Sequence, residues 1–180
     1  MYRPSMYQKH DETMLHFAEL FNNCHEHRHI LMRPNPEETF DNDGVFVDVN
    51  TNNSIGFDWE YRDAHFANCH FDFNSLGQYE RKLQKPSIQL SIQCDSTVTG
   101  IAVGWHEDWL SERKEMRSLL TDSIVRERGT IRYTKKFRIY SFEQVNIFKA
   151  MIANAMRMRI YSSKIFESVS GFPIVGDVGD

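Results

Sequence analysis

The sequence predicts a mixed α/β or α+β domain in which helices flank a single mixed β-sheet. Apolar residues recur with a period of two in several short runs, which indicates half-buried strands, and at helical spacing in others. Apolar side chains make up 41% and aromatic ones 13% of the 180 residues, so the chain can bury a core and is unlike a disordered protein. No repeat or linker divides residues 1–180, which we interpret as one domain with a surface tail at 170–180.

The first predicted helix begins at Asp11, a residue type that caps helices well. Apolar residues follow at helical spacing, and the pattern ends near the histidines at 25–29. Prolines and acidic residues then predict a loop over 34–43. The helix residues predicted to face the core are Met14, Phe17, Ala18 and Phe21.

An Asn-rich bend at 51–54 joins the next two predicted strands into a hairpin. Apolar and polar residues alternate along both strands, so one face of the hairpin is predicted to be core. The predicted core face comprises Val45, Val47, Val49, Phe57, Trp59 and Tyr61. The opposite face then carries Asp48, Asn50, Asp58, Glu60 and Arg62.

The same reasoning predicts the remaining elements. They are a partly helical connection at 78–85, strands at 87–94, 101–106 and 137–142, and helices at 111–128 and from Val145 to Met156. The last helix has the clearest amphipathic pattern in the chain. The predicted order is therefore helix, four strands, helix, strand, helix.

Charge and composition narrow the classes of function. Lys and Arg number 21 against 25 Asp and Glu, a formal charge of −4 that excludes a strongly basic coat for nucleic-acid binding. Three widely spaced cysteines argue against a disulfide scaffold. No apolar run approaches roughly 20 residues, and the first ten residues contain no signal-type apolar region. We therefore expect a cytoplasmic protein with no membrane partner.

The acidic residues of the hairpin are candidate metal ligands. With the turn at 51–53, Asp48 is predicted to lie opposite Gly56 and diagonal to Asp58, within reach of carboxylate side chains. Neighbouring carboxylates repel unless a cation lies between them, and a hard divalent cation such as Mg²⁺ or Mn²⁺ prefers oxygen ligands. Arg62 is predicted to point the same way and to hold an anionic substrate group.

The segments Val47-Asp48-Val49 and Asp58-Trp-Glu60-Tyr-Arg62 resemble the PD-(D/E)XK (restriction-endonuclease-like) nuclease superfamily. Members carry an Asp near the end of one strand and, on its antiparallel neighbour, an acidic residue, any residue and Lys. Here Asp58-X-Glu60 or Glu60-X-Arg62 would be the triplet, and neither has Lys at its third position.

The resemblance implies a restriction-endonuclease-like core and metal-assisted hydrolysis of phosphodiester bonds, with DNA as the partner. The implied catalytic residues are Asp48, Asp58, Glu60 and Arg62, and the implied metal ligands are Asp48, Asp58, Glu60 and, on the first helix, Glu19. Mg²⁺ or Mn²⁺ would be the cofactor. A homodimer would supply the two sites that cutting both strands of a duplex generally requires.

Three other interpretations remain open at this point. The acidic strand face is equally explained as an ordinary solvated surface of the sheet. The missing Lys keeps open a non-catalytic module on the same fold that binds nucleic acid or protein. Thiol and imidazole groups at 24–29 and 65–70 are the ligand types of zinc, although their spacing is not that of paired zinc motifs.

Overall fold

The computed structural model describes residues 4–35, 42–61, 70–72, 82, 85–95, 98–111, 130–132 and 137–168. The helices in these ranges are α1 (Pro4–Asn23), α2 (His106–Ser111) and α3 (Val145–Met158), with short 3₁₀ helices at Phe142–Gln144 and Ser163–Ser168. The strands are β1 (Ile30–Pro34), β2 (Gly44–Asp48), β3 (Ser54–Tyr61), β4 (His70–Asp72), β5 (Leu90–Cys94), β6 (Gly100–Trp105), β7 (Thr130–Arg132) and β8 (Phe137–Ser141).

Six strands form one mixed sheet in the order β1-β2-β3-β5-β6-β8. Strands β3 and β5 are parallel, and every other neighbouring pair in this sheet is antiparallel. Helices flank the sheet, so the predicted α+β class is confirmed. Strands β4 and β7 form a second, two-stranded sheet that the alternation pattern did not predict.

Aromatic side chains from α1 and α3 cover one face of the six-stranded sheet. The ring of Phe17 in α1 lies 5.5 Å from that of Trp59, and the ring of Phe148 in α3 lies 5.6 Å from that of Phe46 and 5.5 Å from that of Tyr140. All five residues are buried. Burial of such large side chains is the main stabilising contribution expected for a core of this size.

The β2–β3 register differs from the predicted one. Val45 pairs with Gly56, where Asp48 was expected, so the strand is displaced by three residues. Because side chains alternate along a strand, a displacement by an odd number of residues moves each side chain of β2 to the other face of the sheet. Phe46 therefore faces the aromatic core, with its ring 4.9 Å from that of Phe57. Val47 is buried as predicted, but on the opposite face of the sheet, and the prediction that Val45 and Val49 line the core is wrong.

Strand β1 lies between the predicted end of the first helix near 25–29 and the predicted loop at 34–43, and the sequence did not predict it. Its alternation is short: Ile30 and Met32 are buried on one side, and the strand stops at Pro34. A proline is acceptable here because β1 is the edge strand of the sheet. At the other end, α1 begins at Pro4, seven residues before the predicted start at Asp11; proline is well suited to a helix's first turn.

A buried lysine ties α3 to the end of α1. The Nζ atom of Lys149 donates to the carbonyl oxygens of Phe21 at 3.0 Å and of Cys24 at 3.3 Å. The carbonyls at a helix C-terminus have no partner within the helix, and a cation interacts favourably with that end of the helix dipole. Lys149 therefore fixes the orientation in which α1 reaches the sheet.

Several predicted features lie outside the described residues. They are the helix at 112–128, most of the connection at 78–85, and the tail at 170–180. Ser111, predicted to cap that helix, is the last residue of α2. No helix in the described part of the chain combines the length and apolarity needed to span a bilayer.

Candidate active site

Three carboxylates lie on the sheet face opposite the aromatic core. Asp43 directly precedes β2, and because Gly44 pairs with Phe57, Asp43 comes next to Asp58 on the neighbouring strand. Side chains alternate along a strand, so Asp58 and Glu60 face away from the helices that cover Phe57. The Asp43 carboxylate is close enough to Asp58 to raise its pKa.

The ammonium of Lys82 contacts both acidic residues of β3. Its Nζ atom lies 2.7 Å from Oδ2 of Asp58 and 3.1 Å from Oε1 of Glu60. The three side chains are largely buried, with 14% of Lys82, 11% of Asp58 and 19% of Glu60 exposed. Hydrogen bonds between charged groups are short and comparatively strong in such surroundings. The chain itself thus supplies the positive charge that its acidic face requires.

Burial and neighbouring charges compete within this cluster. Burial lowers the pKa of Lys82, but Asp58 and Glu60 outweigh it and leave the pKa raised, so the ammonium stays charged. Burial raises the pKa of Asp58, Lys82 lowers it, and Asp43 and Glu60 raise it, for a net value of about 7. Burial of Asp58 thus opposes its ionisation, and the contact with Lys82 favours it. The site has a surplus of carboxylates and favours a proton or a further cation.

His10 and Asp43 hold the Trp59 peptide groups from two sides. The amide of Trp59 donates to Oδ2 of Asp43 at 2.8 Å, and its carbonyl oxygen lies 2.6 Å from Nε2 of His10. Nδ1 of the same ring lies 3.0 Å from Oδ1 of Asp11. A carbonyl and a carboxylate can only accept, so both ring nitrogens carry protons and the imidazole is a cation.

The pKa of His10 is raised and the pKa of Asp43 is lowered, as expected for an ion pair. Burial lowers the pKa of His10, but the carboxylates of Asp43 and Asp11 and the Trp59 carbonyl raise it to about 9. Burial raises the pKa of Asp43, but His10, the Trp59 amide and Lys82 bring it below its ordinary value. The contact at 3.6 Å between Nε2 and Oδ2 of Asp43 is therefore an ion pair at neutral pH.

The stabilisation provided by His10 is expected to fade in alkaline solution. Its pKa of about 9 in the folded protein exceeds the ordinary 6.5, so the contribution is complete below about pH 6.5 and lost as the pH rises through 9. The difference in free energy of unfolding between wild type and His10→Gln, measured by urea titration, should shrink between about pH 6 and about pH 10. A constant difference would contradict the ionic contact.

Ser91 and His106 extend the polar face beyond β3. Ser91 pairs with Asp58 in the parallel register, and its Oγ lies 2.9 Å from Nε2 of His106. Both residues are buried. Burial, and then the charge of Lys82, lower the pKa of His106 to about 4, while a hydrogen bond to the Ile88 backbone raises it. The neutral ring adds hydrogen-bonding capacity beside the acidic pair without adding charge.

Of the predicted site residues, the structure brings Asp58 and Glu60 together but places Asp48 elsewhere. Asp48 follows the core residue Phe46 by two positions and so lies on the opposite face from Asp58. Its Oδ1 accepts from the amides of Asn50 at 2.8 Å and Thr51 at 3.4 Å, an Asx turn that closes the hairpin. The prediction that Asp48 meets Asp58 is therefore wrong, because it assumed the other register.

Glu19 is not among the groups that the structure brings to the site. Glu19 is exposed on α1, nine residues beyond His10, which is roughly 13 Å along a helix axis. The helix residue that reaches the carboxylates is instead His10. Arg62 lies outside the described residues.

Sequence reasoning missed Asp43, Lys82 and His10. Asp43 stands at the end of a segment interpreted as a loop, and only the choice of Phe46 as the core residue of β2 would have placed it beside Asp58. Lys82 is 24 residues from Asp58, and His10 is 49 residues from Trp59. Contacts at such separations leave no periodic signal in a single sequence.

Within the described ranges, no three carboxylate, imidazole or thiol side chains converge in a geometry that could hold a metal ion. At the acidic pair, the ammonium of Lys82 occupies the shared contact with Asp58 and Glu60. The histidine-rich segment at 24–29 shows no such group either. Side chains of the second segment weighed for zinc, at 65–70, lie outside the described part of the chain.

The cluster combines carboxylates, an ammonium and an imidazolium in one largely buried group. Oxygen donors of this kind suit a hard cation, and the two cationic side chains suit an anionic substrate group. Comparisons of the chain with protein-family models, with curated proteins and with solved structures find no match.

Proposed function

We propose that this protein is a divalent-metal-dependent nuclease of the PD-(D/E)XK type that hydrolyses phosphodiester bonds in DNA. The observation that carries the proposal is the contact of Lys82 with Asp58 and Glu60, beside Asp43 at the start of the antiparallel strand β2. An Asp on one strand, an acidic residue on its antiparallel neighbour and an adjacent lysine are the groups that the family pattern combines. Asp43 replaces the expected Asp48, and Lys82 supplies the lysine that the triplet lacks.

The order of elements around the hairpin also supports a restriction-endonuclease-like core. Helix α1 precedes the hairpin, and β5, β6 and further helical segments follow it. Asp58 and Glu60 lie on the sheet face away from the aromatic core, whereas His10 reaches Asp43 from α1, so the proposed site adjoins that helix. A homodimer would present two such sites to the two strands of a duplex.

Within the described residues, Asp43, Asp58 and Glu60 do not converge in a geometry that could hold a metal ion. Metal binding would therefore require Lys82 to leave its contact with Asp58 and Glu60. The oxygen donors of these carboxylates are nevertheless of the ligand type that a hard divalent cation such as Mg²⁺ or Mn²⁺ binds. Burial, and to a smaller extent the charges of Asp43 and Glu60, raise the pKa of Asp58, and a further cation beside it would favour the ionised carboxylate. When bound, the ion would polarise the phosphodiester and lower the pKa of a water molecule.

The cationic side chains serve the substrate. Lys82 retains its proton, so it acts as a donor and an electrostatic attractor and not as a general base. A phosphodiester carries a negative charge that Asp58 and Glu60 alone would repel, and an adjacent ammonium offsets that repulsion. His10 places a second positive charge on the other side of Asp43.

Cleavage assays test this function directly. Purified protein is incubated with plasmid DNA, branched DNA or RNA in millimolar Mg²⁺. We expect cleavage of the DNA substrates, and we expect EDTA to stop it. Asp58→Ala and Glu60→Ala should each lower the rate at least about 100-fold, as loss of a key electrostatic group does. Glu12→Gln, an exposed carboxylate on α1, is the control and should retain activity. Folded Asp58→Ala protein that cuts as fast as wild type would refute the proposal.

One pair of variants decides whether Asp43 or Asp48 is the site aspartate contributed from the β2 side of the hairpin. Asp43→Asn is expected to lower metal-dependent cleavage at least about 100-fold, because Asp43 lies beside Asp58 on the same face. Asp48→Asn should stay within about threefold of wild type, since its carboxylate caps the hairpin turn. The reverse ranking in steady-state cleavage rates would restore Asp48 to the site and remove Asp43.

A non-catalytic module that binds nucleic acid or protein is the second candidate. The direct contacts of Lys82 with Asp58 and Glu60 favour it, because the ammonium already balances much of their charge. This function predicts salt-sensitive DNA binding, or binding of a protein, that is unchanged by EDTA and accompanied by no turnover. Cleavage that requires a divalent cation would exclude it.

A further inference from the structure

We propose that His10 is a positioning residue of this site, which holds the Asp43 carboxylate on the Trp59 amide and so sets the gap between Asp43 and Asp58. The inference rests on the proposed function, because a divalent cation is the ligand for which that gap matters. The hydrogen bonds on which it depends can be measured without any metal.

Trp59 is the residue between the two carboxylates of β3. Its N–H belongs to the peptide group shared with Asp58 and donates to Oδ2 of Asp43 at 2.8 Å. Its carbonyl belongs to the peptide group shared with Glu60 and accepts from Nε2 of His10 at 2.6 Å. The two partners therefore hold both peptide groups that connect the acidic pair.

His10 contacts both ends of this arrangement with one ring atom. Its Nε2 lies 2.6 Å from the Trp59 carbonyl oxygen and 3.6 Å from Oδ2 of Asp43, the oxygen that accepts the Trp59 amide. Asp11 fixes the ring orientation through Nδ1 at 3.0 Å. Only 22% of the His10 side chain is exposed, so the surrounding atoms restrict its rotamer. Such support is what keeps ligating side chains in place before a cation binds.

A second contact between α1 and Trp59 offers a matched comparison. The indole Nε1 donates to Oγ1 of Thr13 at 3.1 Å, one helical turn beyond His10. This bond joins the same helix to the same residue of β3 but does not touch Asp43. If any bond between α1 and Trp59 sufficed, loss of the Thr13 bond would perturb the site as much as loss of the His10 bond.

Metal affinity separates the two contacts. In Mn²⁺ titrations followed by calorimetry, His10→Asn is expected to bind at least about 10-fold more weakly than wild type, the usual effect of losing a group that orients a ligand. His10→Gln should recover most of the affinity, because its longer amide places a donor near the Nε2 position. Thr13→Val should lower stability yet bind Mn²⁺ within about twofold of wild type. Unchanged affinity in His10→Asn, or an equal loss in Thr13→Val, would overturn the inference.

The Trp59 amide signal in metal-free NMR spectra gives an independent readout. The spectrum of Asp43→Asn gives the chemical shift of the Trp59 amide when the carboxylate acceptor is absent. His10→Asn should move the signal towards that chemical shift, whereas Thr13→Val should move only the indole N–H signal. If wild type fails to bind Mn²⁺, the proposed metal dependence falls, and the amide signal alone decides the role of His10. A signal unmoved in His10→Asn would refute that role, and a shifted one would support it.

Discussion

Replacing Lys82 with methionine is expected to lower the free energy of unfolding by about 3 kcal/mol or more at pH 8, because removal of one partner leaves buried charges without compensation. Asp58 and Glu60 both contact the ammonium and are largely buried. Methionine keeps much of the length and apolar volume of the side chain, so the loss reports on charge. Chemical denaturation at equilibrium measures it.

The pH dependence and a double mutant test the cause of this loss. At pH 5 the Asp58 carboxyl group, whose pKa burial already raises, takes up a proton more readily once Lys82 is gone, so the destabilisation should be smaller than at pH 8. Asp58→Asn combined with Lys82→Met should be more stable than Lys82→Met alone. Lys85→Met, for which the described residues show no ion pair, is the control and should stay within about 0.5 kcal/mol of wild type. Equal losses for both lysines would contradict an ion-paired cluster.

Gly56→Ala is expected to cost about 4 kcal/mol or more, or to prevent folding. A Cβ atom at Gly56 would overlap the carbonyl oxygen of Ser87, which is backbone and cannot rotate away. Gly56 is also fixed by two hydrogen bonds to Gln89: its carbonyl accepts from the amide at 2.9 Å, and its amide donates to Oε1 at 2.6 Å. Relief of the overlap would separate β3 from the start of β5.

Gly100→Ala provides the comparison for this substitution. A Cβ there would come no closer than 3.5 Å to the Tyr140 carbonyl oxygen, an ordinary van der Waals contact. Its stability should stay within about 1 kcal/mol of wild type, because alanine also restricts the unfolded chain. Thermal unfolding of the two variants side by side measures the difference. A stable, wild-type-like Gly56→Ala protein would mean that β5 does not approach β3 as closely as described.

The core of the fold was predictable because its pattern is local. Met14, Phe17, Ala18 and Phe21 recur at helical spacing, and all are buried. Phe57 and Trp59 alternate with polar residues and are fully buried, so Asp58 and Glu60 could be assigned to the other face. Period and residue type carry this information without knowledge of the partner elements.

The register of β2 could not be predicted, because the strand is apolar on both faces. Phe46 is completely buried on one side, and Val47 is buried on the other. Such a strand is compatible with two pairing registers, and the register decides whether Asp43 or Asp48 lies next to Asp58. Lys82 and His10 reach the site through tertiary contacts, which depend on how the crossover and the helix pack.

The contact of the Lys82 ammonium with Asp58 and Glu60 also has a consequence for folding. Proteins whose clustered acidic groups rely on an external ion often collapse when a chelator removes it, since ion binding and folding share one free energy. Here an internal lysine already offsets part of the negative charge. Folding and storage of the protein should therefore not depend on a supply of metal ions.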